Sequence, residues 1–163
     1  MGESKVVIVT GGGQGIGFGV AEVFADHGAT LVIADLDQAR ADEAATKLKQ
    51  QGAADAMGIA CNVADRASVD AMVEAVVARY GRIDALINNA GICPFEPIME
   101  MSPETFQRTI DVNLMGGFHC TQSAARHMIE RGEGGTVVFI TSLADHRCNP
   151  TQVDYCASKA GAR

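Results

Sequence analysis

Val6-Val7-Ile8-Val9-Thr10-Gly11-Gly12-Gly13-Gln14-Gly15-Ile16-Gly17 is an apolar run that breaks into glycines and restarts as a helix. The β-branched residues between Lys5 and Thr10 suit a buried strand. Beyond the glycines, Ile16, Val20, Val23 and Phe24 recur at helical spacing and mark an inward face, and Gly28 stops the helix. Small residues let the backbone approach phosphate oxygens, while the following helix offers free N–H groups and its positive end. The spacing is Gly11-x-x-x-Gly15-x-Gly17 rather than GxGxxG. Placed between a strand and an amphipathic helix, it still suits the pyrophosphate of a dinucleotide.

The alternation continues outward. Strands are predicted at 30–34, ending at Asp35, at 56–63, at 83–87, running into Asn88-Asn89-Ala90-Gly91, and at 136–141. Between them lie a helix through Leu48 that stops near Gly52 and another with the stripe Val69, Met72, Val73, Val76 and Val77, closed by Gly81. Ser102-Pro103-Glu104 opens a long helix that runs to about Glu130, with Ser as cap and Pro at its first position. Phe106, Ile110, Leu114, Gly117 and Phe118 mark its expected inward face. A last helix begins near Val153. Continuous apolar strands are the signature of a parallel sheet covered on both faces. Repeated βα units predict a doubly wound α/β fold with right-handed crossovers.

Bulk composition narrows the classes. With 47% hydrophobic residues in 163, the chain has enough apolar material for one core. A formal net charge of -7 and no run of Lys or Arg argue against a nucleic-acid footprint or an anionic membrane surface. The apolar stretch after Met1 is too short for a signal peptide or a membrane span, and Gly2 lacks the Ser or Thr at position 6 that myristoylation needs. Cysteines 61, 93, 120, 148 and 156 are odd in number and form no CxxC pair. They read as free thiols in a reducing cytoplasm, with no metal site.

Five positions carry candidate chemistry. Tyr155 and Lys159 lie four residues apart, on one face of a helix. A cation beside a phenol favours the phenolate, which can take a proton from an alcohol or return one to a carbonyl. Asp35, about twenty residues after the glycine turn, can accept from both ribose hydroxyls and repel a 2′-phosphate, and neither Gln14 nor Leu36 supplies a cation for that phosphate. NAD is therefore expected over NADP, unless Asp35 merely caps the next helix. Asn113 sits on or beside the inward face of the long helix, as a structural hydrogen-bonder or as a group organising water near Lys159. Ser142 follows a strand, at the sheet edge where open α/β sheets bind ligands, and is either a donor to a substrate oxygen or a turn residue.

Taken together, Thr10-Gly11-x3-Gly15-x-Gly17, Asn88-Asn89-Ala90-Gly91, Ser142 thirteen residues before Tyr155, and Tyr155-x-x-x-Lys159 resemble the short-chain dehydrogenase/reductase family over essentially the whole chain. The resemblance implies a catalytic tetrad of Asn113, Ser142, Tyr155 and Lys159. It implies NAD contacts from Gly11, Gln14, Gly15, Ile16, Gly17, Asp35, Leu36, Asn62, Val63, Asn89, Ala90, Gly91, Tyr155 and Lys159. Asn62 departs from the family's usual Asp, which removes a charge near adenine. In the implied mechanism, Lys159 reaches the nicotinamide ribose and holds Tyr155 as phenolate. Ser142 bonds the substrate oxygen, and Asn113 positions Lys159 through a water relay.

Family members normally continue beyond Arg163 through two more strands that carry the substrate lid and much of the tetramer contact. Residues 1–163 are thus expected to be one dinucleotide-binding domain, the N-terminal part of a longer one, and a homo-oligomer (dimer or tetramer) in full-length form. The alternative is a shortened product that binds NAD without turnover. The segment from Leu143 to Pro150 is polar, which favours a sugar, polyol or hydroxy acid as the alcohol or ketone substrate, unless the loop points elsewhere. Nucleotide-sugar epimerases and dehydratases share the Tyr-x-x-x-Lys idea but favour another glycine spacing. A hydrolase built on Ser142, Asp145 and His146 crowds three groups into five residues, which cannot form an ordered relay.

Overall fold

A computed structural model of the chain describes residues 4–163, so the reading of Gly2 lies outside the described residues. Strands β1 (Val6–Thr10), β2 (Thr30–Asp35), β3 (Asp55–Ala60), β4 (Ala85–Asn88) and β5 (Thr136–Phe139) form one parallel sheet in the order β3-β2-β1-β4-β5. The first three strands step outward one way and the last two step the other, so the winding reverses between β1 and β4. The carboxyl ends of those two strands open the crevice where such folds bind ligands. Helices α1 (Gly15–Asp26) and α2 (Gln38–Gln50) cover one face, and α3 (Arg66–Tyr80) and α5 (Gly116–Arg131) the other.

Both faces are dry. Ile8, Val32 and Leu86 pack against Val69, Met72, Val73 and Val76 of α3 and Cys120 of α5. Val7, Val9, Leu31 and Ile33 pack against Ala21 and Ala25 of α1 and Ala41, Ala44, Ala45 and Leu48 of α2. Burying one such Leu or Val side chain stabilises by about 1.5–3 kcal/mol, which fixes the register that aims the strand ends.

Several expectations need correction. Strand β3 ends at Ala60 rather than 63, because β2 stops at Asp35. The Asp35 carbonyl takes the Cys61 N–H at 2.8 Å, and Asn62 then turns the chain by accepting the Ala64 N–H at 3.2 Å. Strand β4 is Ala85–Asn88 rather than 83–87, and β5 ends at Phe139. The fully buried face of α1 is Gly17, Ala21 and Ala25, with Val20 and Phe24 half-buried against the core, while Ile16 and Val23 are exposed. Close approach of helix to sheet selects the small stripe over the bulky one.

The long helix is broken into α4 (Pro103–Ile110), a π-helical turn (Asp111–Met115) and α5. Its buried stripe is Thr109, Asn113, Gly116, Gly117, Cys120 and Ala124, whereas Phe106 and Phe118 face solvent. The wider turn shifts the helical phase by a residue after Ile110, and of the expected face Gly117 is buried while Ile110 and Leu114 are half-buried. A 3₁₀ turn (Leu143–Asp145) and α6 (Val153–Gly161) follow β5.

Candidate active site

The glycine turn is held by the opposite side of the crevice. Asn89 and Ala90 donate their backbone N–H groups to the Thr10 hydroxyl, both at 3.1 Å, and that hydroxyl donates to the Ile87 carbonyl at 3.3 Å. The Asn89 amide donates to the carbonyls of Thr10 and Gly11, both at 3.0 Å. One threonine and one asparagine thereby lock the ends of β1 and β4 together. A side chain at Gly17 would collide with that Asn89 amide and with the Gly11 carbonyl. Gly15 turns the chain into α1 with a φ of +58°, open to glycine at little cost.

Helices α2, α3 and α4 are capped by Asp37, Asp65 and Ser102, whose side chains accept first-turn N–H groups. Gln14 makes no such bond to α1. The first-turn N–H groups of α1 stay available to an anion.

Asp35 closes the far end of the crevice. Its carboxylate accepts the Gly13 N–H at 3.1 Å and the Asp37 N–H at 3.2 Å, and Arg40 Nε lies 3.3 Å away. The cation beside Asp35 is a residue that sequence reasoning missed, because it comes from the first turn of α2 rather than from position 14 or 36. Leu36 and Ile16, 71% and 70% exposed, form apolar lips around the acid.

A cleft of about 600 Å³ runs from this acid to α6, which carries Tyr155 and Lys159. Gly11, Gln14, Gly15, Ile16, Asp35, Leu36, Asn62, Val63, Asn89, Ala90, Gly91, Tyr155 and Lys159 all line it, while Gly17 lies beneath the turn. Sequence reasoning missed Ile92, Arg108, Val112, Ile140 and Thr141 on the same walls. Asn62 spends its side-chain oxygen on the Ala64 N–H.

Lys159 is buried, and its Nζ donates to the Ile140 carbonyl at 2.7 Å while lying 5.6 Å from the centre of the Tyr155 ring. Burial pushes its pKa down, and the neighbouring Cys93 works weakly the other way. Asn113 acts as a clamp. Its oxygen accepts the Ile92 N–H at 2.8 Å, and its two amide protons go to the Ile92 carbonyl at 2.8 Å and the Ser158 hydroxyl at 3.0 Å. It thus ties the loop after β4 to α6 rather than touching Lys159. Ser142 starts the 3₁₀ turn, its oxygen accepting the Ala144 N–H at 3.2 Å. It stands two residues past Ile140, outside the lining of the cleft. His146 pairs with Asp145 and Arg163 rather than with Ser142, so no hydrolytic relay forms among the described residues.

The short chain dehydrogenase family model matches residues 5–163. The galactitol 2-dehydrogenase of Agrobacterium fabrum is 40% identical over 96% of this chain and 60% of its own length. The D-threitol dehydrogenase of Mycolicibacterium smegmatis is 40% identical over 98% of this chain and 60% of that enzyme. Among solved structures, NAD+-bound xylitol dehydrogenase superposes with a TM-score of 0.91 at 30% identity, covering 96% of this chain and 60% of that one. The chain spans about 60% of the length of these curated relatives. The reversed winding at a glycine turn, the Tyr155–Lys159 face on its cleft and the match over residues 5–163 together make this chain a member of the short-chain dehydrogenase family.

Proposed function

We propose that this chain binds NAD and carries the catalytic residues of an oxidoreductase that interconverts a secondary alcohol and a ketone on a polar substrate, a sugar, polyol or hydroxy acid. The observation that carries the reading is Lys159, held between the Ile140 carbonyl and the Tyr155 ring on the wall of the cleft that the glycine turn opens.

The residues fit a dinucleotide. The close approach of Gly17 leaves backbone where a side chain would stand, the first turn of α1 is uncapped, and Asp35 offers a carboxylate at the far end. The pyrophosphate would lie on Gly11–Gly17, the adenosine ribose at Asp35, and the adenine between the lips of Ile16 and Leu36. When bound, NAD supplies the hydride-accepting carbon. Tyr155 accepts the hydroxyl proton of the substrate, or returns it to the carbonyl oxygen in the reverse direction. Lys159 places its ammonium 5.6 Å from the centre of the Tyr155 ring, beside the proton that moves. Ser142, whose hydroxyl proton is not committed to the Ala144 N–H, donates to the substrate oxygen. Asn113 fixes α6 against the loop after β4.

The polar loop after Ser142 supports a hydroxylated substrate, and the printed activities of the galactitol and threitol relatives point the same way. Five free thiols favour a cytoplasmic setting. We read residues 1–163 as the N-terminal part of one dinucleotide-binding domain, homo-oligomeric in full-length form. A second reading, NAD binding without turnover, draws on Ser142 standing outside the lining of the cleft.

Tyr155→Phe separates the two. It should lower turnover of galactitol, threitol or xylitol by roughly 10²–10⁴-fold while leaving the Kd for NADH, read by fluorescence, within about twofold. Near-wild-type turnover in Tyr155→Phe would sink the catalytic role. Tight NADH binding with no polyol oxidation in the unaltered chain would favour the second reading.

A further inference from the structure

Behind the cleft lies a small cavity of about 10 Å³, lined by Asn88, Asn113, Lys159, Ile140, Gly116 and Gly117 among others. That is room for a single water molecule. Two glycines keep it open. A Cβ at Gly117 would stand 2.5 Å from the Phe139 ring, and one at Gly116 would stand 2.7 Å from Val63 Cγ2.

Asn88 closes β4 and is 7% exposed. Its amide nitrogen donates to the Thr121 hydroxyl at 3.0 Å, but its Oδ1 is buried without a hydrogen-bond partner among the described residues. A buried acceptor left unpaired is rare in a native protein and is usually met by an ordered water. Lys159, on the wall of the same cavity, commits one of its three protons to Ile140. The side chain of Asn113 has no proton left for a water, since both go to Ile92 and Ser158.

We propose that Asn88 Oδ1 and Lys159 Nζ share one buried water, which makes Asn88 a positioning residue for the lysine. The water donates to Asn88 and accepts from Lys159, so the ammonium gains a second partner without touching the asparagine. This assignment rests on the reading of Lys159 and Tyr155 as a proton-handling pair. The groups that face the lysine are the Ile140 carbonyl from the end of β5, the Tyr155 ring from α6 and the Cys93 thiol from the loop after β4. Burial already lowers the lysine pKa, so each partner of the ammonium counts.

The first test is a crystal structure of the chain with NADH at about 1.5 Å resolution, where ordered waters are located directly. One water within hydrogen-bond distance of both Asn88 Oδ1 and Lys159 Nζ is expected, and a dry cavity overturns the assignment. Diffraction decides the point even in a chain that lacks turnover, so its failure is separable from failure of the catalytic reading. The second test compares Asn88→Leu with Asn88→Ser, which keeps an uncharged acceptor. Asn88→Leu should move the acid limb of the kcat/KM profile up by about half a pH unit or more, with NADH affinity within about twofold of the unaltered chain. Asn88→Ser should bring the limb back toward that of the unaltered chain. A profile for Asn88→Leu that overlays that of the unaltered chain rejects the role.

Discussion

At the residue scale, Asp35 shows how one carboxylate serves two masters. It accepts two backbone N–H groups and faces Arg40, so it props the glycine turn while standing on the wall of the proposed cofactor cleft. Replacing it by serine removes the repulsion of a 2′-phosphate and releases Arg40 toward that phosphate. Asp35→Ser should therefore move the ratio of NADPH to NADH affinity by about tenfold or more in favour of NADPH, about 1.4 kcal/mol. Fluorescence titration with the two cofactors reads it, and an unchanged ratio would remove Asp35 from cofactor selection. The position of Asp35 at a strand end was legible in the sequence. Its pairing with Arg40 was not, because that contact depends on where α2 begins relative to the crevice. Asn113 was legible as buried but not as a clamp, since Ile92 and Ser158 reach it only once the chain is folded.

Elements were legible where local chemistry decides them. Ser102 and Pro103 start α4 as expected, and Gly81 ends α3 in the left-handed conformation. The π turn was invisible because no local pattern demands it. Asp84, just before β4, shows the same dependence on distant parts. Its carboxylate accepts the Val6 N–H at 2.9 Å and pairs with Arg82, Arg131 and Lys5, which ties β1, β4 and the end of α5 together. Burial opposes its charge, but bonds from the Arg82 guanidinium, the Val6 N–H and Lys5 outweigh it and hold the carboxyl well below the usual carboxylate range. A carboxyl pKa lowered by folding gives stability that is full above the unfolded value of about 3.9 and fades as pH falls toward the folded one. Asp84→Asn should then cost about 2 kcal/mol at neutral pH. The gap between variant and parent should narrow steadily below about pH 4 in urea melts. A gap independent of pH would mean that packing, not charge, is lost.

Taken as a whole, the molecule is asymmetric across its sheet. Strands β1 and β2 are buried along their full length, while β5 alternates between exposed and half-buried residues and, among the described residues, pairs with β4 alone. An edge of unpaired N–H and carbonyl groups invites a second copy. Sedimentation equilibrium of this chain should show dimers or larger species. Val138→Lys, which places a charge on that strand, should weaken the association by about tenfold or more, about 1.4 kcal/mol. Monomers at all concentrations would refute the edge as an association surface. The parallel doubly wound class was legible from unbroken apolar strands. Every strand points the same way, so the cleft opens at one pole, opposite the ends where the strands begin. The Gln51–Gly52 bend between α2 and β3 lies at that opposite pole. A dye, an affinity handle or a surface tether attached there would leave the cleft facing outward, ready for immobilised assay.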